Sequence, residues 1–143
     1  MEKILTAIDF SEVTEAVLEK TVELVKAFDA RLCILHAEPD GDQYAREEDN
    51  EDFEAEIGHK IDIIRKSLNE KSIFPYIREV SGTAAKCILN ECDRFYPDLI
   101  ILGSHRQNKF LRLFGDKVRE EVLLKAPCSV LIVHPDDIKK SVN

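Results

Sequence analysis

The sequence predicts a single α/β domain built on a five-stranded parallel sheet. Short apolar segments alternate five times with longer amphipathic ones, in the order strand and then helix. The segment 98–103, DLIILG, is almost wholly apolar, as is typical of a strand buried on both faces of a parallel sheet. The length of 143 residues suits one domain, 1–143. This alternation, without repeat or linker, predicts a doubly wound sheet with right-handed crossovers and the strand order 3-2-1-4-5.

The first half of the sheet begins with a strand at 3–8 (KILTAI), followed by a helix at 11–28 with apolar residues at helical spacing. Ser11 is the candidate N-cap, because its side-chain oxygen can accept a hydrogen bond from the first turn of the helix. The second strand is predicted at 31–37 (RLCILHA). His36, near its end, is expected to be a hydrogen-bonded core residue.

An acidic loop, 38–52, leads into the second helix, which is predicted around 51–70 from its apolar face. The third strand, 75–81 (PYIREVS), is less apolar and is therefore expected at an edge of the sheet. The third helix follows Gly82 and is ended by Pro97, which cannot continue a helix.

The last two strands enclose a loop and a helix. The fourth strand is the apolar segment 98–103, and the last helix is predicted at 115–126, ended by Pro127. The fifth strand is 128–134 (CSVLIVH). The remaining tail, 135–143, is polar and is expected to be frayed.

The net charge of −8 is unevenly distributed along the chain. Residues 38–56 contain ten acids and one base, whereas residues 105–125 contain six bases and three acids. A general nucleic-acid surface is not expected at this net charge, but a local anion site in the basic stretch is.

Membrane and secreted classes do not fit this sequence. No apolar run approaches the roughly 18–20 residues that a membrane span needs, and the first ten residues make a poor signal peptide. The four cysteines show neither a CxxC pair nor metal-ligand spacing. We therefore expect a cytoplasmic protein with reduced thiols and no membrane partner.

Several nucleotide and catalytic classes are excluded by missing motifs. Asp9 stands alone after the first strand, which argues against a phosphorylated receiver domain. The sequence contains no GxxxxGK[ST], no GxGxxG after the first strand and no GxSxG. A ligand in the predicted sheet would bind beyond the carboxyl ends of the strands, where the strand order reverses. That position lies between Asp9 and Gly103.

Four segments in this order resemble the universal stress protein family, and the resemblance covers essentially the whole chain. They are ILTAIDFSE at 4–12, ILHAE at 34–38, DLIILGSH at 98–105 and GDKVREEVLLKAPCSVLIV at 115–133. The resemblance implies a flavodoxin-like sheet of the adenine-nucleotide alpha-hydrolase-like type. It also implies ATP or AMP as a ligand, with Mg²⁺.

The resemblance assigns roles at the base and ribose end of the ligand. Asp9 would face the ribose and sometimes a metal ion. Backbone groups near Ala7 and Ala37 would contact the adenine, and Leu102 and Gly103 would line the site at the end of strand four. An acid at a helix start also stabilises the helix dipole, so the alternative role of Asp9 is that of a turn residue.

The phosphate end departs from the family motif G-x2-G-x9-G-[ST]. Arg106 replaces the second glycine, only eight residues separate it from Gly115, and Asp116 replaces the small hydroxyl residue. Arg106 would either block the loop backbone or bind a phosphate through its guanidinium. Asp116 would repel a triphosphate or cap its own helix, and Lys117 among other bases would offset its charge.

Three interpretations of function follow. The leading one is a cytoplasmic stress-response or regulatory protein with weak or altered adenine-nucleotide binding and no robust catalysis. The second is an ATP-dependent switch or slow ATPase that uses the 103–117 loop. The third is a nucleotide-free dimer that docks a partner at the acidic segment 38–56. Strand 128–134 lacks an internal lysine or proline to block edge pairing, and we expect a homodimer through it.

Overall fold

The computed structural model describes residues 1–38, 47–104 and 116–135, and every structural statement below concerns these ranges. Strands and helices alternate as predicted. In chain order the elements are β1 (Lys3–Ile8), α1 (Thr14–Phe28), β2 (Arg31–Glu38), α2 (Glu47–Glu70), β3 (Tyr76–Ser81), α3 (Ala84–Phe95), β4 (Leu99–Gly103), α4 (Asp116–Lys125) and β5 (Ser129–Val133).

The five strands form one parallel sheet in the order β3-β2-β1-β4-β5, which confirms the predicted topology. β1 is the central strand and pairs with both β2 and β4. β3 and β5 are the edges. The less apolar third strand is therefore at an edge, as predicted.

Helices cover both faces of the sheet, and side chains that alternate along each strand feed two apolar cores. Leu5 and Ala7 of β1 belong to the core under α3 and α4, whereas Ile4 and Ile8 belong to the core under α1 and α2. Thr6 is also completely buried, and its hydroxyl is 2.9 Å from that of Thr21 on α1. Because β1 is covered on both faces, it is apolar almost throughout.

The four cysteines are free thiols, three of them buried and Cys128 half-buried. Burial, assisted by the charge of Glu91, raises the pKa of Cys33 to about 12. Burial likewise raises the pKa of Cys92 to about 12. These thiols therefore pack as small apolar groups and stay protonated at neutral pH.

The predicted start of α1 and its cap were wrong. α1 begins at Thr14, with Val13 at the N-cap and no side-chain capping hydrogen bond. The Ser11 carbonyl instead accepts the Thr14 N–H at 3.1 Å, while the Ser11 N–H donates to Asp9 Oδ1 at 3.0 Å. Ser11 therefore belongs to the turn that precedes the helix, and Asp9 organises that turn.

The predicted boundary between the acidic loop 38–52 and α2 was also wrong. α2 begins at Glu47, four residues before the predicted position, and β2 extends to Glu38. Acids are favoured in the first turn of a helix by its dipole, so the dense acids from Glu47 onward are compatible with a helix start. The tail beyond Pro135 lies outside the described residues, and within those residues no helix is long and apolar enough to span a bilayer.

Gly103, the last residue of β4, lies in close contact with the first turn of α1. A Cβ atom at Gly103 would be 2.5 Å from Val13 Cγ1 and 3.0 Å from Val17 Cγ2. Both valines are almost completely buried. The absence of a side chain at Gly103 therefore allows α1 to pack directly on the end of β4.

We expect Gly103→Ala to lower the free energy of unfolding by about 1–3 kcal/mol, because overpacking forces α1 or the valines to shift. Urea denaturation measures the change. Gly58→Ala is the matched control, since a Cβ at Gly58, in the interior of α2, meets nothing within 4 Å. That control is expected to stabilise the protein by about 0.5–1 kcal/mol. Adding Val13→Ala to Gly103→Ala should recover part of the loss; no loss in the single variant would contradict the packing argument.

Candidate functional site

The sheet opens between β1 and β4 at their carboxyl ends. The β1–β4 ladder ends at Thr6↔Ile101, although both strands continue for two more residues. Their other ladders continue to Ile8↔His36 and to Gly103↔Val133. The opening coincides with the point at which the strand order reverses, where doubly wound sheets bind their ligands.

Three of the predicted site residues, Ala7, Ala37 and Leu102, do not direct their side chains to the carboxyl edge. Ala7, Ala37 and Leu102 are completely buried, and their side chains point into the core under α3 and α4. Ala7 borders the opening, whereas Ala37 lies on β2, on the other side of β1. The Leu102 peptide groups face β5, because the Ser104 N–H donates to the Val133 carbonyl at the register Gly103↔Val133. A ligand in the opening would therefore meet the peptide groups of Ala7. The use of backbone groups near Ala7 and Ala37 for adenine stays a prediction.

Asp9 directly follows β1 and lies at the mouth of the opening. Its Oδ1 accepts the Ser11 N–H at 3.0 Å and the Thr14 hydroxyl at 3.5 Å. The carboxylate is half-buried, close to the N-terminus of α1, where the helix dipole favours a negative charge. The geometry shows the turn-forming role of Asp9, and the ribose or metal role stays a prediction.

Phe10, next to Asp9, was not predicted from the sequence as a site residue, although it contacts His36 and Lys60. It has a left-handed backbone conformation, with φ of 58°. Its ring centroid lies 4.8 Å from that of His36, and Lys60 Nζ of α2 is 5.5 Å from the Phe10 centroid. A non-glycine residue in this conformation costs roughly 1–2 kcal/mol, so these contacts hold a strained residue in place. No feature of the sequence indicates this conformation.

His36 is buried, as predicted, with only 2% of its surface exposed. The predicted hydrogen bonding is incomplete, because Nδ1 has no partner among the described residues. Burial lowers the pKa of His36 from its ordinary value of 6.5; the Asp9 carboxylate opposes that shift and the Lys60 ammonium adds to it. His36 is therefore neutral at pH 7 and sits beneath the ring of Phe10.

Beyond Gly103, the structure describes only part of the predicted phosphate site. Ser104 is buried, and its N–H donates to the Val133 carbonyl at 2.8 Å, which extends the contact between β4 and β5. Arg106 and Gly115 lie outside the described residues. Asp116 is the first residue of α4, and Lys117 is an exposed residue of the same turn.

Metal binding at Asp9 is not supported by neighbouring ligands. No group of three His, Cys, Asp or Glu side chains within residues 1–38, 47–104 and 116–135 could hold a metal ion. A magnesium ion at Asp9 would need most of its oxygen ligands from a bound phosphate and from water, as is common for this ion.

A five-stranded parallel sheet with helices on both faces defines a doubly wound α/β protein, a class that binds ligands at the carboxyl edge of its sheet. The sequence pattern of the universal stress protein family matches residues 1–134, and the chain belongs to that family. No curated protein matches the sequence closely enough to count as a relative.

Solved structures show the same fold. The hypothetical protein MJ0577 is 27% identical, with a TM-score of 0.76, over 93% of this chain and 95% of that one. The universal stress protein UspA of Lactobacillus plantarum is 22% identical, with a TM-score of 0.73, over 92% and 97%. A family member from Arabidopsis thaliana with AMP bound is 20% identical, with a TM-score of 0.71, over 97% and 95%. The adenine-nucleotide alpha-hydrolase-like fold predicted from the sequence is thereby confirmed.

The buried, neutral His36 predicts a specific pH dependence of stability. With a folded pKa below 6.5, this residue contributes full stability above pH 6.5, and the contribution is lost as the pH falls from 6.5 towards the folded pKa. We expect His36→Leu to flatten the fall in unfolding free energy between pH 7.5 and pH 5.5, as measured by urea denaturation. His59→Gln, at an exposed position of α2, is the control and should keep the wild-type slope. Equal slopes in His36→Leu and wild type would contradict the assignment.

Proposed function

We propose that this protein binds an adenine nucleotide in the opening between β1 and β4 and acts as a nucleotide-responsive regulatory protein. The observation that carries the proposal is the early end of the β1–β4 ladder at Thr6↔Ile101. It leaves the last two residues of β1 and the last two of β4 unpaired with each other at the reversal point of the sheet. The AMP bound to the Arabidopsis protein, which has the same fold, supports adenine as the base.

The base would be held by backbone and the ribose by Asp9. Peptide N–H and C=O groups near Ala7 and Ala37 would offer donors and acceptors to the edge of adenine, since the side chains of both residues are buried in the core. The Asp9 carboxylate, already oriented by the Ser11 N–H, would accept a hydrogen bond from a ribose hydroxyl. Asp9 would be the protein ligand of a bound Mg²⁺, which would neutralise part of the phosphate charge.

A monophosphate is favoured over a triphosphate. Asp116 stands where the family motif has a small hydroxyl residue, and a second anion there would face the charge of a triphosphate. Arg106 and Lys117 suffice for the charge of one phosphate. The alternative, an ATP-dependent switch or slow ATPase, requires these bases to hold a triphosphate despite Asp116.

Calorimetric titration with AMP and with ATP plus Mg²⁺ tests the proposal, after a chromatographic check for nucleotide carried through purification. AMP is expected to bind more tightly than ATP. Tighter binding of ATP would favour the switch, and no heat with either nucleotide at millimolar concentration would overturn the proposal. That last result would favour a partner-binding protein, with the acidic segment 38–56 as its docking surface.

We expect Asp9→Asn to weaken AMP binding about tenfold, the scale of one lost hydrogen bond to a charged group. The asparagine Oδ1 can still accept the Ser11 N–H, so the turn is retained and only the charge is removed. Asp62→Asn, at an exposed position of α2, is the matched control and should bind as wild type does. Unchanged affinity in Asp9→Asn would show that Asp9 serves the turn alone.

We further propose that the protein is a homodimer through β5. Since the Val133 carbonyl faces β4 and alternate residues of a parallel strand point to opposite sides, Val130 and Ile132 direct their peptide groups to the open edge. α4, which leads into β5, leaves Leu124 84% exposed and Leu123 54% exposed. A paired edge would satisfy the peptide groups and cover apolar surface.

A proline at position 130 should abolish this pairing. Val130→Pro removes one outward N–H, a change that edge strands tolerate, and it is expected to give a monomer in light scattering. Val130→Ala loses the side chain but keeps the N–H, and it should remain a dimer. A Val130→Pro protein that is as dimeric as Val130→Ala would contradict pairing through β5.

A further inference from the structure

A groove of about 850 Å³ runs between α1 and α2, on the face of the sheet away from α3 and α4. The nucleotide proposal does not use it, although Phe10 lines one of its ends. Its central part is apolar, and Ile63 of α2 is 55% exposed there. The other apolar residues along its centre are Leu18, Val22 and Ile64, all half-buried.

The α1 wall of the groove is mainly acidic. Glu15, Glu19 and Glu23 are spaced four residues apart and therefore lie along one side of the helix. Lys20 Nζ is 3.0 Å from Glu23. Neither Glu15 nor Glu19 forms an ion pair with another described residue.

The α2 wall is basic. Lys60 lies at one end and Lys71, in the turn after α2, lies at the other, with Ser67 between them. Lys60 Nζ is 3.5 Å from Glu56, and the pair is largely exposed, so it adds little stability of its own. Lys71 has no ion-pair partner within the described part of the chain.

α1 and α2 run in the same direction, and their charged residues lie at corresponding positions along the groove. α1 and α2 each connect two parallel strands, so both run from the carboxyl edge of the sheet to its amino edge. Lys60 lies over Phe10, just before α1 begins, and is therefore level with Glu15. Lys71 follows the end of α2 and lies towards the same end as Glu23.

We propose that this groove is an interface for a second copy of the same chain. A two-fold axis parallel to the groove exchanges the walls, so that the acidic α1 of one copy faces the basic α2 of the other. Glu15 would meet Lys60 of the second copy, Glu23 would meet its Lys71, and the apolar centres would face each other. Three acids and three bases line the groove, so this face attracts its copy although the chain carries a net charge of −8.

The test exchanges the charges of the walls one at a time in the full-length chain. Glu15→Lys/Glu23→Lys gives two basic walls, and Lys60→Glu/Lys71→Glu gives two acidic walls. Each double variant alone is expected to associate through the groove at least about tenfold more weakly than wild type, because four attractive contacts become repulsive. An equimolar mixture of the two should recover the wild-type association, and so should the chain that carries all four substitutions.

Sedimentation velocity over a range of concentrations measures the association. Running every chain in both the wild-type and the Val130→Pro background separates groove contacts from β5 pairing. Asp93→Lys/Glu120→Lys, on exposed positions of α3 and α4, is the control for the change in net charge and should leave groove association unchanged.

Three results would overturn the proposal. One is a chain that carries Val130→Pro as its single substitution and stays monomeric at millimolar concentration. The second is a mixture of the double variants that associates no more tightly than either alone. The third is an equal loss in the Asp93→Lys/Glu120→Lys control, which would assign the effect to overall charge.

Discussion

The contact of α1 with the end of β4 sets the geometry of the carboxyl edge. Because Gly103 has no side chain, Val13 and Val17 pack against its backbone and hold the first turn of α1 close to the sheet. That position fixes the short connection from β1, in which Asp9 accepts the Ser11 N–H. It also brings the start of α1 beside the opening between β1 and β4. A bulkier residue at the end of β4 would displace the helix, the turn and the carboxylate together.

Two locally destabilising features lie near the end of β1. The buried hydroxyl of Thr6, in β1, is hydrogen-bonded to the Thr21 hydroxyl. The Thr21 hydroxyl donates to the Val17 carbonyl at 2.8 Å. By contrast, His36 buries an Nδ1 without a partner in the described structure, and Phe10 adopts a left-handed backbone. An unsatisfied buried polar atom costs about 1–3 kcal/mol, so both costs must be offset by the packing around them. Strained residues are common at ligand sites, but Asp29, Ser72 and Tyr96 adopt the same left-handed conformation after the ends of α1, α2 and α3.

Three acidic side chains lie close together near the end of β2. Burial raises the pKa of Glu38, and the carboxylates of Glu79 and Glu54 raise it further. These acids meet near the end of β2 and the first half of α2, whereas the groove further along α2 has balanced charges. A partner with a basic surface and a second copy of the chain would therefore use different parts of the same helix. The groove proposed for self-association therefore lies apart from this acidic cluster.

The order and direction of the strands could be predicted because apolar runs, turns and crossover rules leave few arrangements. Two helix starts could not be predicted. The acids from Glu47 onward are compatible with a loop as well as with a helix start, and Ser11 is compatible with an N-cap. Only the structure shows that the Ser11 N–H donates to Asp9. Within the site, Gly103 shows a limit of motif reasoning. A glycine retained from the motif indicates a phosphate site, yet the packing of Val13 and Val17 accounts for Gly103 without any ligand. The early end of the β1–β4 ladder and the oriented carboxylate of Asp9 are therefore the features of the structure that support a nucleotide at this edge.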